Sequence, residues 1–239
     1  MKNNLLILLA STLMSTICNG QTKAVGDGPL NLKTFNFETK ISDLYPERNK
    51  SKEYKGVYEI KGALHSQMVE KDTTYINEYS DNKKAVGIEY LQKSSTSIDE
   101  IAFFENQTFQ KINVATTLNG KIKAINAVAD ELTEQKSADL LKKLANKYGK
   151  PKKLKNSWDE KFTIYEWTAK NRIVRYISAY DDESTTMKIV INEQKQTISS
   201  GNKEPHYVGY LFIINPALKS EVFGKMKTGD FVYLDEKTK

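Results

Sequence analysis

The chain has 239 residues, 36 of them basic and 30 acidic, with one cysteine, two histidines and a formal net charge of +6. One thiol excludes a disulfide framework and a cysteine-built metal cluster. The length fits one large domain or two small ones, and either buries a sizeable core without covalent staples.

The first twenty residues, "MKNNLLILLASTLMSTICNG", have the pattern of a secretory signal peptide. Lys2 gives a positive start, Leu5–Ile17 carries no charge, and Cys18 and Gly20 stand at −3 and −1 of a cut before Gln21. Those 13 apolar or small residues fall short of the ~20 that an anchor helix needs to cross a bilayer. A rival reading makes Cys18 the lipidated residue of a bacterial lipoprotein, although Ile17 before it fits that signal poorly. Removing the first 20 of 239 residues leaves 219 and no cysteine. The longest later apolar run is Val208–Ile214, so no transmembrane helix is expected after the leader. The expected product is exported to the periplasm or medium, or lipid-anchored to the envelope if Cys18 is acylated.

Residues 21–35 are polar, with Gly26, Gly28 and Pro29, and read as a loose leader. One helical turn fits before Pro46, followed by a charged loop. Strand composition then appears at 56–60, 73–79 and 85–92, where β-branched and aromatic residues lie between polar breaks. Residues 98–105 fit a strand or a short helix equally, because period cannot settle a short apolar run. Asn119-Gly120 between two alternating runs predicts a hairpin with a type I′ turn. A helix is expected over 134–148, with Thr133 or Ser137 as N-cap, Gly149 as left-handed stop and Pro151 preventing continuation. A lysine-rich loop follows, then strands at 162–169, 172–180 and 186–192. After a polar loop, "YVGYLFII" is apolar on both faces and predicts a central strand. Asn215-Pro216 opens a brief helix ending near Gly224, and 230–234 reads as a last strand. The fold class is α+β: a mostly antiparallel sheet with one amphipathic helix on a face. Residues 21–106 form a β-rich region and 107–239 a hairpin–helix–meander region, or the two make one continuous domain.

Charge is concentrated locally. Between Lys136 and Arg175 twelve basic residues face four acidic ones, a surplus of +8 in forty residues. After loss of Lys2 with the leader the chain carries +5, so everything outside this stretch sums to −3. On a helical wheel Leu140, Leu141, Leu144, Ala145 and Tyr148 share one arc, and Lys142, Lys143 and Lys147 face water. Amphipathicity therefore explains the helix lysines, and the later ones also meet the negative end of the helix dipole. Lys152, Lys153 and Lys155, in the expected loop, have no such explanation. These six lysines are the candidate binding residues, for an anionic envelope component or an acidic protein. Tyr148, Trp158, Tyr165, Trp167 and Tyr176 interleave with them, as in single-strand nucleic-acid sites. Export and the strand placement of Tyr165 and Trp167 argue instead for buried sheet aromatics, and no nucleic-acid partner is expected.

No catalytic pattern stands out. His65 and His206 are 141 residues apart, and His65 beside Ser66 points away from it on a strand. No nucleophile elbow, His-Glu-x-x-His helix or phosphate-binding glycine loop occurs. Asp181-Asp182-Glu183 lacks calcium-loop spacing and reads as a turn. Asn106-Gln107-Thr108 matches the glycosylation sequon. No catalytic, cofactor or metal residues are assigned. The leading expectation is a non-enzymatic binding protein. The alternatives are a hydrolase using two unidentified carboxylates or a lipoprotein scaffold.

N-terminal sequencing of the exported protein should give Gln21 as first residue. A product that retains Met1, or begins at an acylated Cys18, overturns that cleavage site.

Overall fold

The computed structural model describes residues 23–76, 81–156, 162–182, 187–192, 197–202, 204–226 and 228–235. The leader with Cys18, the Trp158–Lys161 stretch and Glu183 lie outside the described residues.

The architecture is α+β and mostly antiparallel. The strands are β1 (Leu30–Asn31), β2 (Val57–Lys61), β3 (Ser66–Ile76), β4 (Lys84–Gln92), β5 (Ala102–Phe104), β6 (Gln107–Phe109), β7 (Lys111–Thr116) and β8 (Ile122–Leu132). After the long helix come β9 (Lys152–Lys155), β10 (Thr163–Ala169), β11 (Arg172–Asp181), β12 (Met187–Asn192), β13 (Thr197–Asn202) and β14 (His206–Ile214). The helices are α1 (Ile41–Leu44) and α2 (Glu134–Tyr148), and 3₁₀ turns close the chain at Pro216–Glu221 and Gly229–Leu234. Nine strands form one sheet in the order β2-β3-β4-β7-β8-β14-β11-β10-β9, so strands from both sides of residue 106 share it.

The two sheet faces bury different cores. On one, Leu140 and Leu144 of α2 meet Ile125, Trp167, Val174, Tyr176, Leu211 and Ile213. The small sheet β1-β5-β6 covers the rest of that face through Leu30, Ala102, Phe104 and Phe109. On the other face, residues 216–235 form a cap whose Val222, Met226, Phe231 and Leu234 meet Ile164, Ile173, Phe212 and Ile214. In β14 neighbours therefore serve opposite cores, as the two-residue period of a strand requires. Being sandwiched on both faces, its run is apolar throughout.

Helix α2 has the expected bounds. Thr133 accepts from the Lys136 N–H and caps the first turn, a contact worth about 0.5–2 kcal/mol. At the other end Gly149 has φ 88° and ψ −163°. This is the extended positive-φ region rather than the left-handed helical well, and it is even more restricted to glycine. The Gly149 carbonyl then accepts from the Trp167 indole at 2.7 Å, which fixes the exit of the helix on β10.

Several expectations are corrected. The turn at Asn119-Gly120 exists, but only Gly120 has positive φ. The Gly120 N–H bonds to Thr117 O and the Thr117 N–H to Lys121 O, a type I turn with a glycine bulge instead of type I′. Residues 21–35 are no loose leader from Lys23 onward: Val25, Leu30, Leu32 and Phe35 are buried. Arg172 holds that segment by donating to the carbonyls of Leu32, Lys33 and Phe35 at 2.8–3.1 Å. The loop expected at 150–155 contains strand β9, and the polar loop before β14 contains β13. The C-terminal meander is interrupted: β9, β10, β11 and β14 are antiparallel neighbours, while among the described residues β12 and β13 pair only with each other, and β14 enters the sheet between β11 and β8. Residues 230–234 form a 3₁₀ turn rather than a strand, because Phe231 and Leu234, three apart, both face the core.

Nothing lies within 4 Å of a Cβ placed on Gly149, so replacing it tests backbone strain alone. Gly149→Val should destabilise the fold by about 1–3 kcal/mol. Lys143→Gln, off the apolar face of α2, should stay within about 0.5 kcal/mol. Equal shifts in melting temperature from the two would refute this account of the helix end.

Candidate functional site

The six candidate lysines do not form one patch. Lys143 and Lys147 lie on the flank of α2 that meets the β5–β6 turn. Lys143 donates to Asn106 Oδ1, and Lys147 stands 6.0 Å from the Phe104 ring centre and 5.6 Å from that of Tyr148. Partial burial, then the like charges of Lys33 and Arg172, pull the Lys147 pKa down. Glu105, ion-paired to Lys33 at 2.6 Å, is held below the usual carboxylate range chiefly by that contact, with Lys147 and Lys143 adding to it. These two helix lysines thus belong to a local network around Glu105 and Asn106, the sequon asparagine. Lys142 points away from it, exposed.

The other three lie on β9, the last strand of the sheet. Its register against β10 pairs Lys155 with Thr163, Leu154 with Ile164, Lys153 with Tyr165 and Lys152 with Glu166. Alternation puts Lys153 and Lys155 on the α2 side, where Lys153 covers the Tyr165 ring at 5.6 Å. Lys152 and the half-buried Leu154 lie on the cap side. All three lysines are exposed, and among the described residues none of the six candidates makes an ion pair. Two other members of the basic stretch are structural. Arg172 is the pin described above. Arg175, 1% exposed, is clamped by Glu166 at 2.6–2.7 Å, donates to Leu234 O and stacks 3.9 Å from the Phe223 ring centre. Such a buried, clamped guanidinium fixes geometry and is unavailable to a ligand.

Polar groups that the sequence pattern did not single out lie under the cap. A register shift between β7 and β8 leaves Lys123 as a bulge residue, which is why Ile122 and Ile125 can share a core. Lys123, 2% exposed, donates to Val86 O at 2.6 Å and reaches Glu221 of the cap at 3.4 Å. Glu89 on β4, equally buried, accepts from Thr228 of the cap. Burial pushes the Glu89 carboxyl above the usual range. The hydroxyls of Thr228 and Thr74 and the charge of Lys123 counter this in part, and Asp72 adds to it. Burial likewise lowers Lys123. Nearby, Asp230 of the cap takes Lys111 at 2.7 Å and the Asn113 amide at 2.9 Å. Asp130, beside a second bulge where Glu131 has φ 54°, is raised by burial. The only hint in the sequence is that Glu89, Asn113, Lys123 and Asn126 interrupt otherwise apolar strands.

Neither Asp130 nor Asp230 lines any of three shallow concavities of 510–640 Å³. The largest of these has Asp99 in its floor, but that carboxylate is consumed by the Ala63 and Thr96 N–H groups and by Gln67, at 2.6–3.1 Å. His65, in the β2–β3 turn, and His206, opening β14, are separated across the sheet by four strand spacings, about 19 Å measured perpendicular to the strands. No group of three metal-binding side chains occurs among the described residues. Among those residues no helix is long and apolar enough to cross a membrane. A scan of protein-family models finds no match to this chain, and searches of curated proteins and of solved structures find none either.

The buried Glu89 binds its proton more tightly in the folded than in the unfolded chain. Its contribution is therefore fully favourable below pH 4.5 and is lost as pH rises through the raised folded value. Urea unfolding from pH 4 upward should show this decline, and Glu89→Gln should flatten it. An unchanged slope in the variant would mean that Glu89 does not carry the effect.

Proposed function

We propose that the chain is an exported, non-enzymatic binding protein that docks an anionic partner of the cell envelope at the basic edge of its sheet. The observation supporting this reading is the local density of lysine on the last strand of the sheet. Lys152, Lys153 and Lys155 crowd one four-residue strand with no carboxylate partner among the described residues. The one contact described for their side chains is Lys153 over the Tyr165 ring, so little core packing rests on their charge. They form a point-charge cluster of the kind that attracts an anion with little geometric selectivity. Lys142, Lys143 and Lys147 widen the field, and the local network around Glu105 makes the last two secondary.

The contact is electrostatic and weakens as the Debye length shrinks from about 10 Å at 0.1 M salt to about 3 Å at 1 M. An immobilised anionic envelope polymer should retain the protein at low salt and release it well below 1 M. Changing Lys152, Lys153 and Lys155 together to Gln should remove most of the retention and leave the melting temperature within a few degrees. Equal retention of the triple variant, or no retention of the parent, would reduce the lysines to a solvated surface.

A further inference from the structure

The nine-stranded sheet has two edges, and the chain treats them differently. The β2 edge is covered. Lys50 bridges to Tyr58, Ser51 donates to Val57 O at 2.9 Å, and Gly26 comes so close that a Cβ there would lie 2.6 Å from the Lys61 nitrogen. On the β9 edge no described residue pairs outward.

The register fixes which backbone groups are free there. Asn156 donates to Phe162 O, so Asn156, Leu154 and Lys152 turn their N–H and C=O groups toward β10. By the alternation of an antiparallel ladder, Lys153 and Lys155 present theirs outward. Two residues therefore offer paired donors and acceptors, flanked by uncompensated charge.

Building on the reading that this edge binds an anionic partner, we infer that β9 is a strand-addition site for an extended acidic segment of a partner protein. Main-chain bonds to Lys153 and Lys155 supply the register, and the lysines select the side chains opposite them. Residues facing Lys152, Lys153 and Lys155 are acidic, and the one facing half-buried Leu154 is apolar. For an antiparallel partner this reads acid–apolar–acid–acid. A second copy of β9 is a poor occupant, because each antiparallel register that pairs these outward residues sets lysine against lysine. An apolar strand is equally poor, since it would bury the ammonium groups without partners. Charge thus rejects self-association and admits acidic strands.

The test uses a capped peptide centred on Glu-Val-Glu-Glu and the same peptide N-methylated at the two glutamates flanking the valine. Methylation keeps every charge but removes the two N–H groups that would meet Lys155 and Lys153. The parent protein should bind the unmodified peptide at low salt and the methylated one at least about tenfold more weakly, as loss of two backbone hydrogen bonds implies. A second arm compares Lys155→Pro with Lys155→Gln. Both lose one charge, only proline loses the outward N–H, and proline is tolerated where that N–H faces solvent. Lys155→Pro should bind about tenfold more weakly than Lys155→Gln. If Lys155→Pro lowers the melting temperature, the peptide pair on the unaltered protein decides alone. Equal binding of the two peptides overturns strand addition while leaving the electrostatic reading intact, as does retention on an anionic polymer with neither peptide bound. If neither polymer nor peptide binds, both readings fail.

Discussion

The structure depends on β14 being paired on both sides. β14 bonds to β8 from Ile214 to Tyr207 and to β11 over nine consecutive pairs. It thereby joins β2-β3-β4-β7-β8 to β11-β10-β9. Its side chains do the same across the sheet, with Leu211 and Ile213 in the helix-side core and Phe212 and Ile214 in the cap-side core. Each buried aliphatic or aromatic side chain of this size contributes about 1.5–3 kcal/mol. Loss of this one strand would open both cores and separate the halves of the sheet. It is also the last strand to be made, so the sheet cannot be completed before residue 214. Most of its contacts span long stretches of sequence, which places the fold among the slower topologies.

The two faces are held by different chemistry. Helix α2 and the small sheet sit on theirs mainly through apolar contacts, with the Ser137–Tyr176–Ser178 hydroxyl cluster, the Trp167–Gly149 bond, Lys143 on Asn106 and the Arg172 contacts to residues 32–35 as polar additions. The cap is fastened by polar contacts from five strands or their ends: Glu89, Lys111 with Asn113, Lys123, Arg175 and Asn156. Buried charges of this kind gain little net stability over an apolar core, because desolvation offsets much of the attraction. They do fix direction. A 3₁₀ turn has few side chains to interlock, and its register on a sheet needs hydrogen bonds with defined partners. The raised Glu89 and lowered Lys123 follow from that arrangement.

This division explains what the sequence made legible. Helix α2, its cap, its glycine stop and the central character of β14 could all be read, because each is written in local order or in an apolar run. The cap and the interior polar groups could not. Lys123 in "NGKIKAINAV" has the same local context as an exposed strand lysine, and only the bulge and the approach of Val86 and Glu221 bury it. Likewise Arg172 and Arg175 counted toward a basic surface, yet their partners lie 137–140 and 59 residues away in the chain, apart from Glu166 on the adjacent strand. Part of the apparent charge concentration is thus internal wiring. The β9 lysines kept their exposed placement but not their loop, since a strand of Lys-Lys-Leu-Lys composition carries no alternation to announce it.

An edge strand rich in lysine has a ready structural explanation, because charge on an open edge prevents sheets from pairing end to end. That explanation and recognition of an acidic segment are often treated as rivals. On β9 they are consequences of the same electrostatics. The repulsion that makes Lys153 face Lys155 unfavourably across a self-pair is what an acidic side chain at that position would relieve. What separates the two roles is whether the edge needed to stay open. The β2 edge was closed by the chain's own residues 26 and 50–51. The same solution was open to β9, and the structure keeps its outward N–H and C=O groups uncovered by described residues instead. A protein concerned only with solubility could have covered both edges. With β9 unpaired on its outer side among the described residues, its lysines disfavour a second copy of the strand, and the proposed acidic strand would meet two backbone sites there.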